Sequence, residues 1–496
     1  MVNYTKFAIK GAATIFTISL LAAFLGYVVR FLLARNLTIE DFGLFYAVFA
    51  FLSLIGFFKS LGLESSLIKF IPEFKYRNKN DFIKSSIIYV FLVQLVTNLI
   101  IITIIYLLSN YLSINFFRNE QSSSILKILA IAFFVDSFVV MLKFSFQGFQ
   151  KMMYFAGVDL LRMLLLVIII YIGLKLNYGL SSAIFAYTVT PIILLFIFMI
   201  LLLRNVFPEF KKVKPIFDIN LFKQLSKYGM FTLAGAFGGI IFGYTDTIVL
   251  TYFTGLKNVG LYSVALPTAN LLVYFNRAIV GVLFPLTSEL WAKNQKILLG
   301  AGMEIVYKYL MVTILPAAFV MVSFANIIIS VFFGEQYIAA DATLKILSFG
   351  MIFANLYGIN SGFFLGIGKP QINTIILFSG AIFNFLLNLI LVPLIGIVGA
   401  AIATAISYIL MMVFGLIKIK KLVKIKLPIK IWVKTLMAGV IFTFLIWSLK
   451  KLIFLNVWLE MAIVLMVSGV VYTALLFLLK VINIAEVKDL YKKIFK

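Results

Sequence analysis

The chain has 496 residues, of which 63% are hydrophobic and 12% charged, with a formal charge of +25. An ordinary soluble domain is roughly 45–50% apolar and 25% charged, so this composition excludes a protein folded around one aqueous core. It contains no cysteine and no histidine, which removes disulfides, thiolate nucleophiles, the usual zinc sites and imidazole proton relays.

A bilayer crossing takes about 20 mostly apolar residues. That ruler predicts helices over 11–34, 42–63, 83–108, 124–148, 154–176 and 180–203. A second set follows over 228–252, 259–284, 303–333, 340–366, 370–394 and 397–419, and two more over 431–449 and 457–479. The fold class is therefore an all-α polytopic membrane protein of about fourteen transmembrane helices. The first span is too long for a signal-peptide core and lacks a small-residue cleavage site, so it reads as a retained helix. No polar stretch is long enough to form a separate water-soluble domain.

Basic residues cluster in alternate loops, among them Lys69, Lys75, Arg77, Lys79 and Lys84, then Lys211, Lys212 and Lys214, then Lys418, Lys420 and Lys421. The intervening loops hold isolated cases such as Arg35, Arg118, Lys175 and Lys257. The bias of Lys and Arg toward the cytoplasm places both termini inside a cytoplasmic (inner) cell membrane. Charges in short tufts between apolar runs favour membrane lipids over nucleic acid as the partner. Three segments look interfacial: the stretch after Asp218 with Leu221, Phe222 and Leu225; the 418–434 link; and the tail, where Ile484, Val487, Tyr491 and Ile494 recur at helical spacing.

The chain also repeats itself. Phe42-Gly43-Leu44-Phe45 recurs as Val259-Gly260-Leu261-Tyr262, an offset of 217. Gly148-Phe149-Gln150-Lys151 recurs as Gly366-Ile367-Gly368-Lys369, and Gly179, Ser182, Ala183 and Ala186 match Gly396, Gly399, Ala400 and Ala403. Three matches at nearly one spacing indicate a duplicated six-helix unit, with lobes over 1–210 and 211–425 and two extra helices plus a basic tail over 426–496. Six is even, so both copies cross in the same sense, as in parallel-repeat transporters.

Charges at membrane depth cost roughly 2.5–3.5 kcal/mol on insertion scales and need a partner or an aqueous cavity. The sequence places Arg30, Lys59, Asp136, Lys143, Asp159, Arg162, Asp246 and Arg277 within predicted spans. Asp159 and Arg162, three apart, read as partners of each other, and Lys143 as a side chain reaching the cytoplasmic surface. Arg30, Lys59 and Arg277 have no acid three or four positions away. Together they predict a cationic chamber suited to a diphosphate or acidic sugar, although Arg30 could also reach the outer surface and Lys59 pair with Glu64 across an irregular turn. Asp246 reads as the counter-ion of Arg277 or as an ion-coupling carboxylate. Asp136 is left between the same two roles. Asn384 and Asn388, four apart, read either as interhelical hydrogen-bonding residues or as sugar contacts.

The segment Ala34-Arg35-Asn36-Leu37 followed by Glu40-Asp41-Phe42-Gly43-Leu44 resembles the helix 1–2 signature of Wzx-type O-antigen flippases. These belong to the multidrug/oligosaccharidyl-lipid/polysaccharide exporter superfamily. Tyr244-Thr245-Asp246 with Val259 to Ala265, and Leu365 to Pro370 with Asn388 and Gly399 to Ala403, resemble its later helices. The resemblance implies a two-lobe transporter working by alternating access on a polyprenyl-diphosphate-linked oligosaccharide, for surface polysaccharide or glycan assembly. It implies no cofactor, leaves proton or sodium coupling open, and suggests other polysaccharide-assembly membrane proteins as partners. Arg30 and Arg277 match by helix positions where similar flippases carry cavity cations. Two other readings stand beside it. A cation-coupled multidrug antiporter of the same superfamily would favour deep acids and an aromatic pocket, commonly on twelve helices. A membrane-embedded glycosyltransferase or ligase would need a large polar loop with acidic residues.

Overall fold

The computed structural model describes residues 4–452 and 456–482. Every regular element among them is helical: α1 Tyr4–Asn36, α2 Ile39–Ile55, α3 Leu63–Tyr76, α4 Asn80–Leu112, α5 Gln121–Gly148, α6 Met152–Lys175, α7 Leu180–Leu201 and α8 Ile219–Thr254. There follow α9 Leu256–Asn270, α10 Tyr274–Ala292, α11 Lys296–Ser323, α12 Ala325–Phe332, α13 Asp341–Gly366, α14 Pro370–Leu422, α15 Ile429–Leu452 and α16 Val457–Leu478. The amphipathic tail expected over 484–494 lies outside the described residues.

Among the described residues, twelve helical segments are long and apolar enough to cross a membrane. One of them is α14, whose 53 residues would span about 80 Å at 1.5 Å per residue. That is far more than the roughly 30 Å hydrocarbon layer. It breaks at Ile395 and Gly396, where φ turns to +58° at the glycine, into the two expected crossings. The predicted eighth crossing falls on α9 and α10, joined through a 3-10 turn at Leu271–Val273. Counting both brings the segments to fourteen. The expected ninth span, 303–333, is shorter than predicted: α11 stops at Ser323 and α12 is a separate short helix.

Local backbone geometry repeats with the sequence. Helices α5 and α13 end at Gly148 and Gly366, 218 residues apart, and each is followed by a left-handed residue, Gln150 at φ +59° and Gly368 at φ +71°. The caps match bond for bond: Lys151 N–H donates to Phe146 O and Lys369 N–H to Phe364 O, both at 2.9 Å. These are Schellman-type terminations, satisfying carbonyls that the helix leaves unpaired. Gly179 and Gly396 share another unusual conformation, φ +50° ψ −129° and φ +58° ψ −134°. Glycine tolerates it for want of a Cβ.

The chain forms two compact units, 1–263 and 264–496. The first ends beyond the expected lobe boundary at 210 because α8 packs into it. Asp218 caps α8, accepting from Asn220 N–H at 2.8 Å. The helix then continues for 36 residues, whereas the expectation was a short interfacial piece. Leu221 and Leu225 are correspondingly buried in a core with Phe70, Ile87, Leu142 and Phe198, and so do not lie at a lipid surface. In the second unit the helices outside the repeat, α15 and α16, pack on α11 in a core that joins Phe442, Ile446, Val464 and Tyr472 to Val312 and Phe324.

Candidate functional site in the first unit

The predicted second crossing is a broken helix. Helix α2 ends at Ile55, a 3-10 turn runs through Gly56–Phe58, and α3 resumes at Leu63. Leu61 and Gly62 both have positive φ, +49° and +74°. A side chain at Gly62 would lie 2.3 Å from the Gly229 carbonyl oxygen of α8, so glycine is required there twice over.

A break inside a membrane helix strands backbone carbonyls, which must find donors within the protein. The Lys59 carbonyl oxygen accepts from Thr97 Oγ1 at 2.5 Å and from Asn98 Nδ2 at 3.0 Å. Both donors stand halfway along α4. The break is therefore a built feature, and it projects Lys59 sideways at the middle of the helical bundle.

There the Lys59 ammonium stands 3.6 Å from Asp136 Oδ2 on α5, while Arg162 Nη1 on α6 lies 2.7 Å from Asp136 Oδ1. The three side chains are 17–23% exposed. Asp136 is thus the counter-ion of two cations. A second pair joins the same helices, with Lys143 Nζ 2.6 Å from Asp159 Oδ2. The expected Asp159–Arg162 pair and the surface-reaching Lys143 are both replaced by this crossed pattern. On antiparallel neighbours, α6 turns Asp159 and Arg162 toward α5, where Lys143 and Asp136 answer them in reverse chain order. Lys59 meets Asp136 instead of Glu64 for a similar reason, since the turn directs it across to α5.

The three groups line a cavity of about 410 Å³ together with Glu64, Thr190 of α7 and an aromatic wall of Phe49, Phe57, Phe133 and Tyr187. Phe49 packs edge-on against Phe133 at 5.3 Å and against Tyr187 at 5.5 Å. Sequence reasoning placed Arg162 at membrane depth but gave it to Asp159, and it missed Thr190 and the wall. Its available signal was the pair Gly56 and Gly62 bracketing Lys59.

The remaining candidates sit elsewhere. Arg30 lies behind the wall: its Nη1 donates to the Ser263 carbonyl at 3.0 Å, and its guanidinium stands 4.3 Å over the Tyr46 ring. Tyr46 in turn packs on Phe45, and Phe45 on Tyr187. Arg30 is therefore held against neighbours and does not reach outward. Asp246 is buried and accepts from the Tyr262 hydroxyl. Arg277 lies on α10, but its side chain is outside the described residues. In the second unit Asn384 and Asn388 are fully buried: Asn384 Nδ2 donates to Thr404 Oγ1 at 3.2 Å and Asn388 Nδ2 to the Asn384 carbonyl at 2.9 Å.

A charged, aromatic-lined cavity at a helix break within an all-helical membrane fold is an arrangement that membrane transporters use. The polysaccharide biosynthesis protein family matches residues 8–291, and the MatE family matches 239–390. The chain belongs to the former, the polysaccharide flippase family of the multidrug/oligosaccharidyl-lipid/polysaccharide exporter superfamily, and is a flippase-like transporter. It is 35% identical to the uncharacterized membrane protein MJ1068 of Methanocaldococcus jannaschii, over the whole of both chains. It is 25% identical to the probable low-salt glycan biosynthesis flippase Agl15 of Haloferax volcanii, over 48% of this chain and 49% of that one. The fold is similar to that of the lipid II flippase MurJ in an inward closed conformation, with TM-score 0.74 and 18% identity, covering 98% of this chain and 100% of the other.

Proposed function

We propose that this protein flips a polyprenyl-diphosphate-linked oligosaccharide from the inner to the outer leaflet of the cytoplasmic membrane by alternating access, with both termini cytoplasmic. The observation that carries this reading is the Lys59–Asp136–Arg162 cluster at a helix break. Such residues are expensive at membrane depth, and in transporters they mark the substrate path. In this reading Lys59 and Arg162 face the cargo cavity with Asp136 as counter-ion, while Arg30 supports the wall from behind. Asn384 and Asn388 hold α14 together. The test is reconstitution into liposomes with a fluorescent lipid-linked oligosaccharide. Wild type is expected to expose the glycan to an external quencher or lectin. The double variant Lys59→Ala with Arg162→Ala is expected to lose at least tenfold in rate. Equal rates in protein-free liposomes and with wild type would defeat the proposal.

The aromatic wall favours a second reading, multidrug antiport of cationic cargo, since aromatic faces attract cations. Lys59 and Arg162 at the cavity oppose it. Raised drug resistance in expressing cells, lost on Asp136→Asn, would establish antiport.

A further inference from the structure

We infer that the cavity in the first unit is a saccharide subsite for one or two uncharged sugar residues of the cargo, and not the seat of its diphosphate. The inference rests on the flippase reading and specifies which part of the cargo this cavity takes.

The first argument is charge balance. Two cations, Lys59 and Arg162, and two carboxylates, Asp136 and Glu64, line the cavity. Both cations are already engaged by Asp136. A diphosphate would have to pull them away and leave Asp136 buried beside it without compensation, an arrangement that desolvation makes costly. An uncharged ligand leaves the pairs intact.

The second argument is the pattern of polar atoms left over. Thr190 is 1% exposed. Its Oγ1, together with Glu64 Oε2 and Arg162 Nε, is buried without a hydrogen-bond partner among the described residues. Buried polar groups are ordinarily satisfied. These three comprise one acceptor, one donor and one hydroxyl that serves as either. Sugar hydroxyls both donate and accept, so a single pyranose edge can answer all three.

The third argument is the wall. The C–H faces of pyranose rings are apolar and lie flat on aromatic rings, while their hydroxyl rims seek polar groups. Phe133 and Tyr187 supply the first surface, and Asp136 and Arg162 line the same cavity. The volume of about 410 Å³ falls within the range of small-molecule sites, about 300–1,000 Å³.

The experiment is saturation-transfer NMR on the purified full-length protein in detergent, with a panel of glucose, galactose, mannose and N-acetylglucosamine, and with inorganic pyrophosphate as the anionic probe. At least one neutral sugar is expected to bind at millimolar concentration and to resist displacement by equimolar pyrophosphate. Thr190→Val, a near-isosteric change, and Phe133→Ala are each expected to weaken it at least threefold, while Thr190→Ser restores binding. No saturation transfer to any of the four sugars would overturn the inference. So would binding untouched by both variants, or displacement by pyrophosphate that depends on Arg162. The liposome assay keeps the two proposals apart. Flipping by wild type without sugar binding sinks the subsite and leaves the flippase, whereas sugar binding without flipping sinks the flippase.

Discussion

Gly43 of α2 and Gly260 of α9, equivalent positions 217 residues apart in the repeat, pack backbone against backbone. A methyl group on Gly43 would lie 1.9 Å from the Leu256 carbonyl oxygen and 2.8 Å from Gly260 N, and one on Gly260 would lie 2.3 Å from the Ile39 carbonyl oxygen. Neither neighbour is a flexible side chain that could move aside. Close approach through small residues is the usual way membrane helices associate.

Gly43→Ala and Gly260→Ala are each expected to destabilise the protein by about 2 kcal/mol, as overpacking of tight contacts does. Gly243→Ala is the control. A Cβ there meets nothing within 4 Å, and alanine favours helix over glycine by roughly 0.5–1 kcal/mol. Thermal unfolding in detergent should separate the first two from the third.

Arg162→Met removes one of two partners from Asp136, whose side chain is 18% exposed. Breaking a buried pair costs about 3–5 kcal/mol. Partial exposure and the remaining Lys59 contact reduce this to roughly 2 kcal/mol. Asp136→Asn in the same chain should recover part of the loss, because no lone carboxylate remains. A double-mutant cycle on unfolding midpoints measures the coupling, and additive losses would refute it.

The helix break depends on donors from α4. Replacing both, Thr97→Val with Asn98→Leu, leaves the Lys59 carbonyl unanswered at a cost of about 1–3 kcal/mol. Either single change should cost less, since the other donor persists. Gly62→Ala is expected to be worse than both, as it meets the Gly229 carbonyl at 2.3 Å with φ at +74°. Expression and monodispersity in detergent report on all four variants.

Arg30→Ala loses a charged hydrogen bond to the Ser263 carbonyl and the contact over Tyr46. Such bonds contribute about 1.5–3 kcal/mol. Because Arg30 stands behind the wall, its removal should lower stability at least as much as transport rate per folded molecule. Arg162→Ala is expected to show the reverse weighting. Comparing unfolding midpoints with flipping rates normalised to folded protein checks both.

The all-helical membrane class, the approximate number of crossings, the matched glycine turns and the roster of deep charges were legible in the sequence alone. Hydropathy and glycine spacing are local quantities, and an unfavourable charge in a lipid-soluble run stands out wherever it ends up. Gly148 and Gly366, or Gly179 and Gly396, announced their matched turns 217 or 218 residues apart because each cap is built from residues adjacent in the chain.

Only the tertiary structure decided who partners whom. Asp159 and Arg162 look like mates on one helix, yet Asp159 takes Lys143 and Arg162 takes Asp136. Coulomb pairing follows distance in space, and that distance is set by the register of α5 against α6. Lys59 joins them only because the Gly56–Gly62 break turns it out of α2, a bend held by Thr97 and Asn98 from a helix forty residues farther on. The aromatic wall and Thr190 carry no mark in a sequence where phenylalanine is everywhere, and packing alone gathers them around one cavity.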